Sequence, residues 1–114
     1  MVEYKTKLDD IFHSLADPTR RDILRRLGSE KTGEQTIGEL AHKYDLTLAA
    51  VSKHVQVLEQ ALLVRKRRKG REQRVSLSPA GLGQADRYLE QYRVLWEKRL
   101  DRLEDFLKED KQRK

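Results

Sequence analysis

Apolar residues recur along this chain at spacings that predict a series of short helices, one hairpin and a long final helix. Over residues 5–15, Leu8, Ile11, Phe12 and Leu15 share one helical face. Asp17-Pro18 then has the form of an N-cap followed by proline at the first helical position. That second helix turns Ile23, Leu24 and Leu27 inward and is expected to stop at Gly28. Residues 29–35 read as polar loop. Thr36 and Glu39 have the spacing of a capping box, which starts a third helix with Ile37, Leu40, Ala41 and Tyr44 on its buried side. After a break at Asp45-Leu46, Thr47 caps a fourth helix running to about residue 61. Its inner stripe is Val51, Val55, Leu58 and Leu62.

Residues 63–68 and 71–77 alternate as a two-stranded hairpin turning at Lys69-Gly70, with Val64, Val75 and Leu77 inward. Ser78-Pro79 opens the last helix, although Gly81 and Gly83 weaken its first turn. The expected class is mainly α with a small β-hairpin. At 114 residues, with no internal repeat or low-complexity linker, the chain reads as a single domain over 1–114. Within it a helix pair occupies 36–61, the hairpin 63–77 and the terminal helix 79–109.

Charge changes this picture at one place. Seven of the ten residues from Arg65 to Arg74 are Lys or Arg, opposed only by Glu72, so this stretch holds the whole formal net charge of +6. Seven cations in one hairpin repel one another, and condensed phosphate is the partner that relieves this. The sequence pI near 9.7 fits the same polyanion. A membrane partner would need an apolar wedge or lipid anchor beside the cluster, and none is visible. There is no cysteine, which excludes disulfides and thiolate metal sites. The first ten residues lack the apolar run of a signal peptide, and no stretch has the length of a membrane span, so a cytoplasmic location is the default.

The outer face of the fourth helix suits a DNA major groove. With Val51, Val55 and Leu58 inward, Ala49, Lys53, Gln56 and Gln60 point away, and Ser52 stands at the side. These supply small residues for close approach, a hydroxyl and amides for base edges, and one ammonium. On the hairpin, Arg68, Lys69 and Arg71 near the tip are the expected phosphate or minor-groove contacts, while Arg65 and Arg74 are expected to pair with nearby acids. Arg20 and Arg21 sit in the first turn of their helix, where the macrodipole opposes positive charge. A phosphate contact, an ion pair with another segment or plain solvent exposure would each account for them.

The terminal helix argues for a second copy. Counted from Gln84 to Glu109 it would be roughly 39 Å long, against a diameter of about 34 Å for a compact chain of this size. Yet Leu82, Leu89, Trp96 and Leu103 recur at sevens, with Ala85, Tyr92 and Phe106 between and Leu95, Leu100 and Leu107 alongside; Arg99 interrupts the stripe. So large an apolar face calls for a partner. The aromatics Tyr88, Tyr92, Trp96 and Phe106 could also be read as a ligand pocket, but interface packing is the commoner arrangement.

No catalytic constellation stands out: there is no Ser/His/Asp or paired-carboxylate pattern, and no Gly-rich loop after a strand. His13 is expected exposed, His42 solvated or capping near a helix end, and His54 packed on the flank of the fourth helix or touching phosphate. A coiled-coil module whose basic hairpin binds RNA or an acidic protein is a competing class. The hairpin has no aromatic for stacking single-stranded bases, which favours duplex DNA.

From Phe12 to Leu77, and more loosely to Leu107, the chain resembles the ArsR/SmtB family of winged helix-turn-helix bacterial transcriptional repressors. The matching stretches are LADPTRRDILRRL, TIGELAHKYDLTLAAVSKHVQVLEQALLV and RKRRKGREQRVSLSP, in this order and spacing. The resemblance implies a recognition helix from Thr47 to Gln60 and a wing tipped by Lys69-Gly70. The implied DNA-binding set is Thr47, Leu48, Ala49, Ser52, Lys53, His54 and Gln56, with Arg68, Lys69 and Arg71 of the wing. It further implies a symmetric dimer closed by the first and last helices, through Leu8, Phe12, Leu89, Tyr92, Trp96, Leu100, Leu103 and Phe106. The best-known members release DNA when metal binds through cysteines, or through His and carboxylates on the terminal helices. This chain departs from both patterns, since it has no Cys and its last helix offers Asp86, Glu97, Asp101, Glu104 and Asp105 without an imidazole. No metal or other cofactor is expected, with a metal-responsive repressor of the same family as the alternative. Leu48 is a second departure, standing where many members have a polar residue.

Overall fold

The computed structural model describes residues 2–112, with side chains over 7–111; Met1, Arg113 and Lys114, at the ends of the expected 1–114 domain, lie outside the described residues. The chain divides into two compact units, residues 1–84 and 85–114. In order the elements are α1 (Val2–Leu15), α2 (Pro18–Ser29), β1 (Glu34–Thr36), α3 (Ile37–Tyr44), α4 (Leu48–Gln60), β2 (Val64–Lys69), β3 (Glu72–Leu77) and α5 (Pro79–Gln112). This is the mainly helical class with a small antiparallel sheet.

Local chemistry places the helix starts where the sequence puts them. The Asp17 carboxylate accepts from the Arg20 backbone N–H at 3.0 Å, Thr36 Oγ1 accepts from Glu39 N–H at 3.0 Å, and Thr47 Oγ1 accepts from Ala50 N–H at 3.1 Å. Helix ends follow different rules. Gly28 does not end α2, which continues to Ser29 with Glu30 as its cap. Two helices close instead on non-glycine residues with positive φ, Asp45 at 53° and Leu62 at 59°. At each the next residue reaches back five positions, Leu46 N–H to Ala41 O and Leu63 N–H to Leu58 O, both at 3.0 Å. These are Schellman closures.

The second closure corrects the expected inner stripe of α4. Leu62 is not buried with Val51, Val55 and Leu58 but is 37% exposed, while Ala61 and Leu63 are buried in its stead. The helix has ended by then, and the left-handed residue turns the chain outward before β2. Gly81 packs against this corner. Its N–H donates to Leu62 O at 2.8 Å. A Cβ there would lie 2.5 Å from Ala61 O and 2.6 Å from Leu62 O. What looked like a helix-weakening glycine is a close-approach glycine. Gly81→Ala is expected to destabilise the protein by about 1–3 kcal/mol, measured as a lower urea midpoint at unchanged m-value.

The sheet has the order β1-β3-β2. β1 is a correction to the expected loop over 29–35: Glu34, Gln35 and Thr36 pair with Ser76, Val75 and Arg74 of β3. Three polar residues have no strand pattern of their own. They form a strand because β3 offers an unpaired edge. The hairpin also turns one residue later than expected. Lys69 pairs with Glu72, leaving Gly70-Arg71 as the loop, with Gly70 at φ 64°. Glycine first in a two-residue loop is what a type II′ turn requires.

The core of the first unit gathers Ile11 of α1, Ile23 and Leu27 of α2, Leu40 of α3, the α4 stripe, and Val64 and Val75 of the sheet. Ser14 is also fully buried, its hydroxyl donating to Ile11 O at 2.7 Å. Leu15, Leu24, Ile37 and Tyr44, expected inward, are only part-buried. The Tyr44 hydroxyl donates to Asp22 Oδ2 at 2.5 Å. Burial, reinforced by that bond, pushes the phenol up to about 12.

Candidate nucleic-acid interface

α4 is amphipathic in a way that serves two purposes. Val51, Val55 and Leu58 anchor it at 0% exposure, which fixes the rotation of the helix. Ala49, Ser52, Lys53, Gln56 and Gln60 are consequently exposed, and so is Leu48 at 61%. Thr47 is exposed, but its side-chain oxygen is committed to the N-cap bond. His54 is part-buried, with Nδ1 3.9 Å from Asp17 Oδ2. That contact links α4 to the start of α2. The Arg20 backbone N–H holds the Asp17 carboxyl below its usual range against the opposing effect of desolvation, with lesser help from His54 and the Arg20 charge.

Arg20 and Arg21 take a role not considered for them, although Arg21 is also exposed, as one of the readings had it. Arg20 donates to Ser14 O at 2.7 Å and His13 O at 3.1 Å, and Arg21 donates to Leu15 O at 2.8 Å. These are the terminal carbonyls of α1, at the negative end of its dipole. An unfavourable placement on α2 is a favourable one on α1. The sequence could not show this because it depends on the turn between the two helices.

The wing divides its cations. Lys66 Nζ lies 3.4 Å from Glu59 Oε1 of α4, Arg67 Nη2 lies 3.1 Å from Glu34 Oε1 of β1, and Arg74 Nη2 lies 3.4 Å from Glu72 Oε1. Arg74 therefore pairs as expected. Arg65 does not: among the described residues the paired cations of β2 are Lys66 and Arg67. Their acids stand on α4 and on the strand that sequence pattern does not reveal. Arg65, Arg68, Lys69 and Arg71 are exposed without an acid partner among the described residues. Arg68 Nε bends back to Gly70 O at 3.3 Å. The tip thus keeps its charge available, as does Arg65 near the base, while the middle of the hairpin is compensated.

The start of α3, the start of α4 and the wing tip meet around one groove of about 390 Å³. Gly38, Leu48, Ser52, Arg71 and Gln73 are among its walls. Helix face and wing, read separately from the sequence, are one surface. His13 and His42 are exposed and stand apart from that groove's lining. Among the described residues no group of three or more His, Asp or Glu is arranged to hold a metal.

The second unit is the body of α5. Leu89, Tyr92, Trp96, Leu100, Leu103 and Phe106 are all exposed, from 45% at Tyr92 to 65% at Phe106. The Tyr88 and Tyr92 hydroxyls lie 3.1 Å apart. Of the α1 residues expected at a dimer interface, Phe12 is 39% exposed and Leu8 is already buried within its chain. No helix of the described residues is long and apolar enough to cross a membrane.

A helix pair followed by a basic hairpin that shares a groove with the second helix defines a winged helix-turn-helix protein. A helix-turn-helix domain family model matches residues 15–67. The transcriptional repressor SdpR of Bacillus subtilis (strain 168) is 35% identical over 63 residues, covering 55% of this chain and 67% of SdpR. Among solved structures, the ArsR family transcriptional regulator RHA00566 is 33% identical with a TM-score of 0.72, covering 82% of this chain and 93% of its own. The homodimeric winged helix-turn-helix DNA-binding domain Mb0332 (fragment 1–100) from Mycobacterium bovis is 25% identical with a TM-score of 0.61, covering 85% and 84%. The chain belongs to the ArsR family of winged helix-turn-helix transcriptional regulators. Its fold and relatives are those of transcription regulators and not of enzymes.

Proposed function

We propose that this protein is a cytoplasmic homodimeric repressor that binds duplex DNA at an imperfect palindrome. The observation that carries this is the single groove bounded by Ser52 of α4 and Arg71 of the wing. A base-reading helix and a phosphate-binding ribbon need that adjacency to engage one duplex together. In this reading Leu48, Ala49, Ser52, Lys53 and Gln56 face base edges in the major groove, with Thr47 and His54 at its margins. Arg68, Lys69 and Arg71 hold phosphates. The exposed apolar stripe of α5, with Phe12 of α1, closes the dimer. The homodimeric state described for Mb0332 and the repressor role named for SdpR support the same assignment.

Two-fold symmetry sets the two recognition helices about one helical turn apart, so half-sites should be separated by roughly 10 base pairs. Selection of bound duplexes from a random pool, followed by footprinting, reads this directly. On the selected duplex, Lys69→Ala or Arg71→Ala should weaken all sequences alike and reduce the salt slope by about one per contact removed. Ser52→Ala or Gln56→Ala should cost about 1–3 kcal/mol at one base position and relax the preference there. If both classes of variant alter sequence preference equally, the assignment of helix to bases and wing to phosphates fails.

A further inference from the structure

One side chain on the proposed reading face does not fit a polar surface. Leu48 is the first residue of α4 and is 61% exposed. Ser52 and Gln56 follow it at helical spacing and are also exposed. It does not fill the core, which Val51 and Val55 of the same helix already serve. It stands instead in the wall of the groove, with Ser52 on its own helix and Arg71 and Gln73 across from it on the wing.

Ordinary helix chemistry does not ask for leucine there. The N-cap is Thr47, and an exposed first position accepts a polar residue at no cost. Exposed leucines are common singly on any surface, so position has to decide. The groove around it offers the Ser52 hydroxyl and Gln73 amide for polar edges and the Arg71 cation for a flanking phosphate, with the exposed Lys53 further along the same helix. The Glu72 carboxylate in the same lining is paired with Arg74. Of the groups that bases present in the major groove, one is apolar, the C5-methyl of thymine. Neighbouring cations place the backbone, polar neighbours take donors and acceptors, and the branched hydrocarbon is left facing a methyl.

We propose that Leu48 is a specificity-determining residue that reads a thymine methyl in each half-site, an assignment that rests on the DNA-binding function proposed above. Each bound methyl is withdrawn from water between Leu48 and the groove floor. Cytosine at the same step offers an amine donor that leucine cannot satisfy, so the preference is for an A·T pair of fixed orientation.

The test uses the full chain and a duplex selected by it from a random-sequence pool. Each thymine is replaced in turn by deoxyuridine, which keeps the base pair and its O4 and removes only the methyl. At one thymine per half-site the replacement should weaken binding about four-fold, and ~15-fold when made in both half-sites, the effect of exposing one and two methyls. In Leu48→Ala, whose mutated side chain is outside the core, the same replacements should change affinity less than two-fold. The variant should bind the unmodified duplex about as well as wild type binds the deoxyuridine duplex. The proposal is overturned when no thymine responds, or when Leu48→Ala keeps the full deoxyuridine sensitivity. Recovery of no duplex at all overturns the DNA-binding function itself and this assignment with it, so the two failures are distinguishable.

Discussion

Raising the salt from about 50 to 200 mM should weaken binding of the selected duplex by roughly 10³–10⁵-fold, linearly on a log–log plot. The physical basis is the division of charge within the wing. Lys66, Arg67 and Arg74 are already compensated by Glu59, Glu34 and Glu72. Arg65, Arg68, Lys69 and Arg71 are not, and Lys53 adds a fifth exposed cation on α4. Three to five phosphates per protomer doubles to about six to ten in a dimer, and each releases condensed counterions. Fluorescence anisotropy across a salt series gives the slope. A slope near −2 would mean that the wing tip is not on the backbone.

Trp96→Asp combined with Leu103→Asp should leave a folded monomer that loses the palindrome, with affinity falling on the order of 10³-fold or more toward nonspecific binding. Both side chains are more than half exposed in the single chain, Trp96 at 63% and Leu103 at 54%. Their replacement therefore removes nothing from the core of the first unit. Charge on a buried dimer seam is another matter, since an unpaired carboxylate there would be desolvated. Sedimentation velocity and circular dichroism together separate loss of pairing from loss of folding. A parent protein that sediments as a monomer at micromolar concentration, or a double variant that remains paired and bound, would refute the role given to α5.

The helix starts and the burial of α4 were legible because they rest on local chemistry. Asp17, Thr36 and Thr47 each satisfy a backbone N–H three residues on, and Val51, Val55 and Leu58 recur at the helical period. The basic hairpin was equally visible, since seven cations in ten residues need no partner to be noticed. The exposed polar face of α4 followed from its anchored face. The exposed stripe of α5 followed from its length.

What pattern missed has a common cause: a second segment supplies it. β1 is a strand only because β3 presents an edge to Glu34, Gln35 and Thr36. Leu62 leaves the inner stripe because the chain must turn a corner that Gly81 then occupies. Arg20 and Arg21 look misplaced until α1 ends above them. Lys66, and not Arg65 as expected, finds an acid partner because Glu59 faces one side of the ribbon and not the other. The sequence alone determined which surfaces this protein carries, a helix face, a cationic ribbon and an apolar seam, since local spacing and charge decide those. Only the tertiary structure decided that helix face and ribbon border one groove, and which cations at its rim stay uncompensated, because both depend on residues far apart in the chain being brought within a few ångströms.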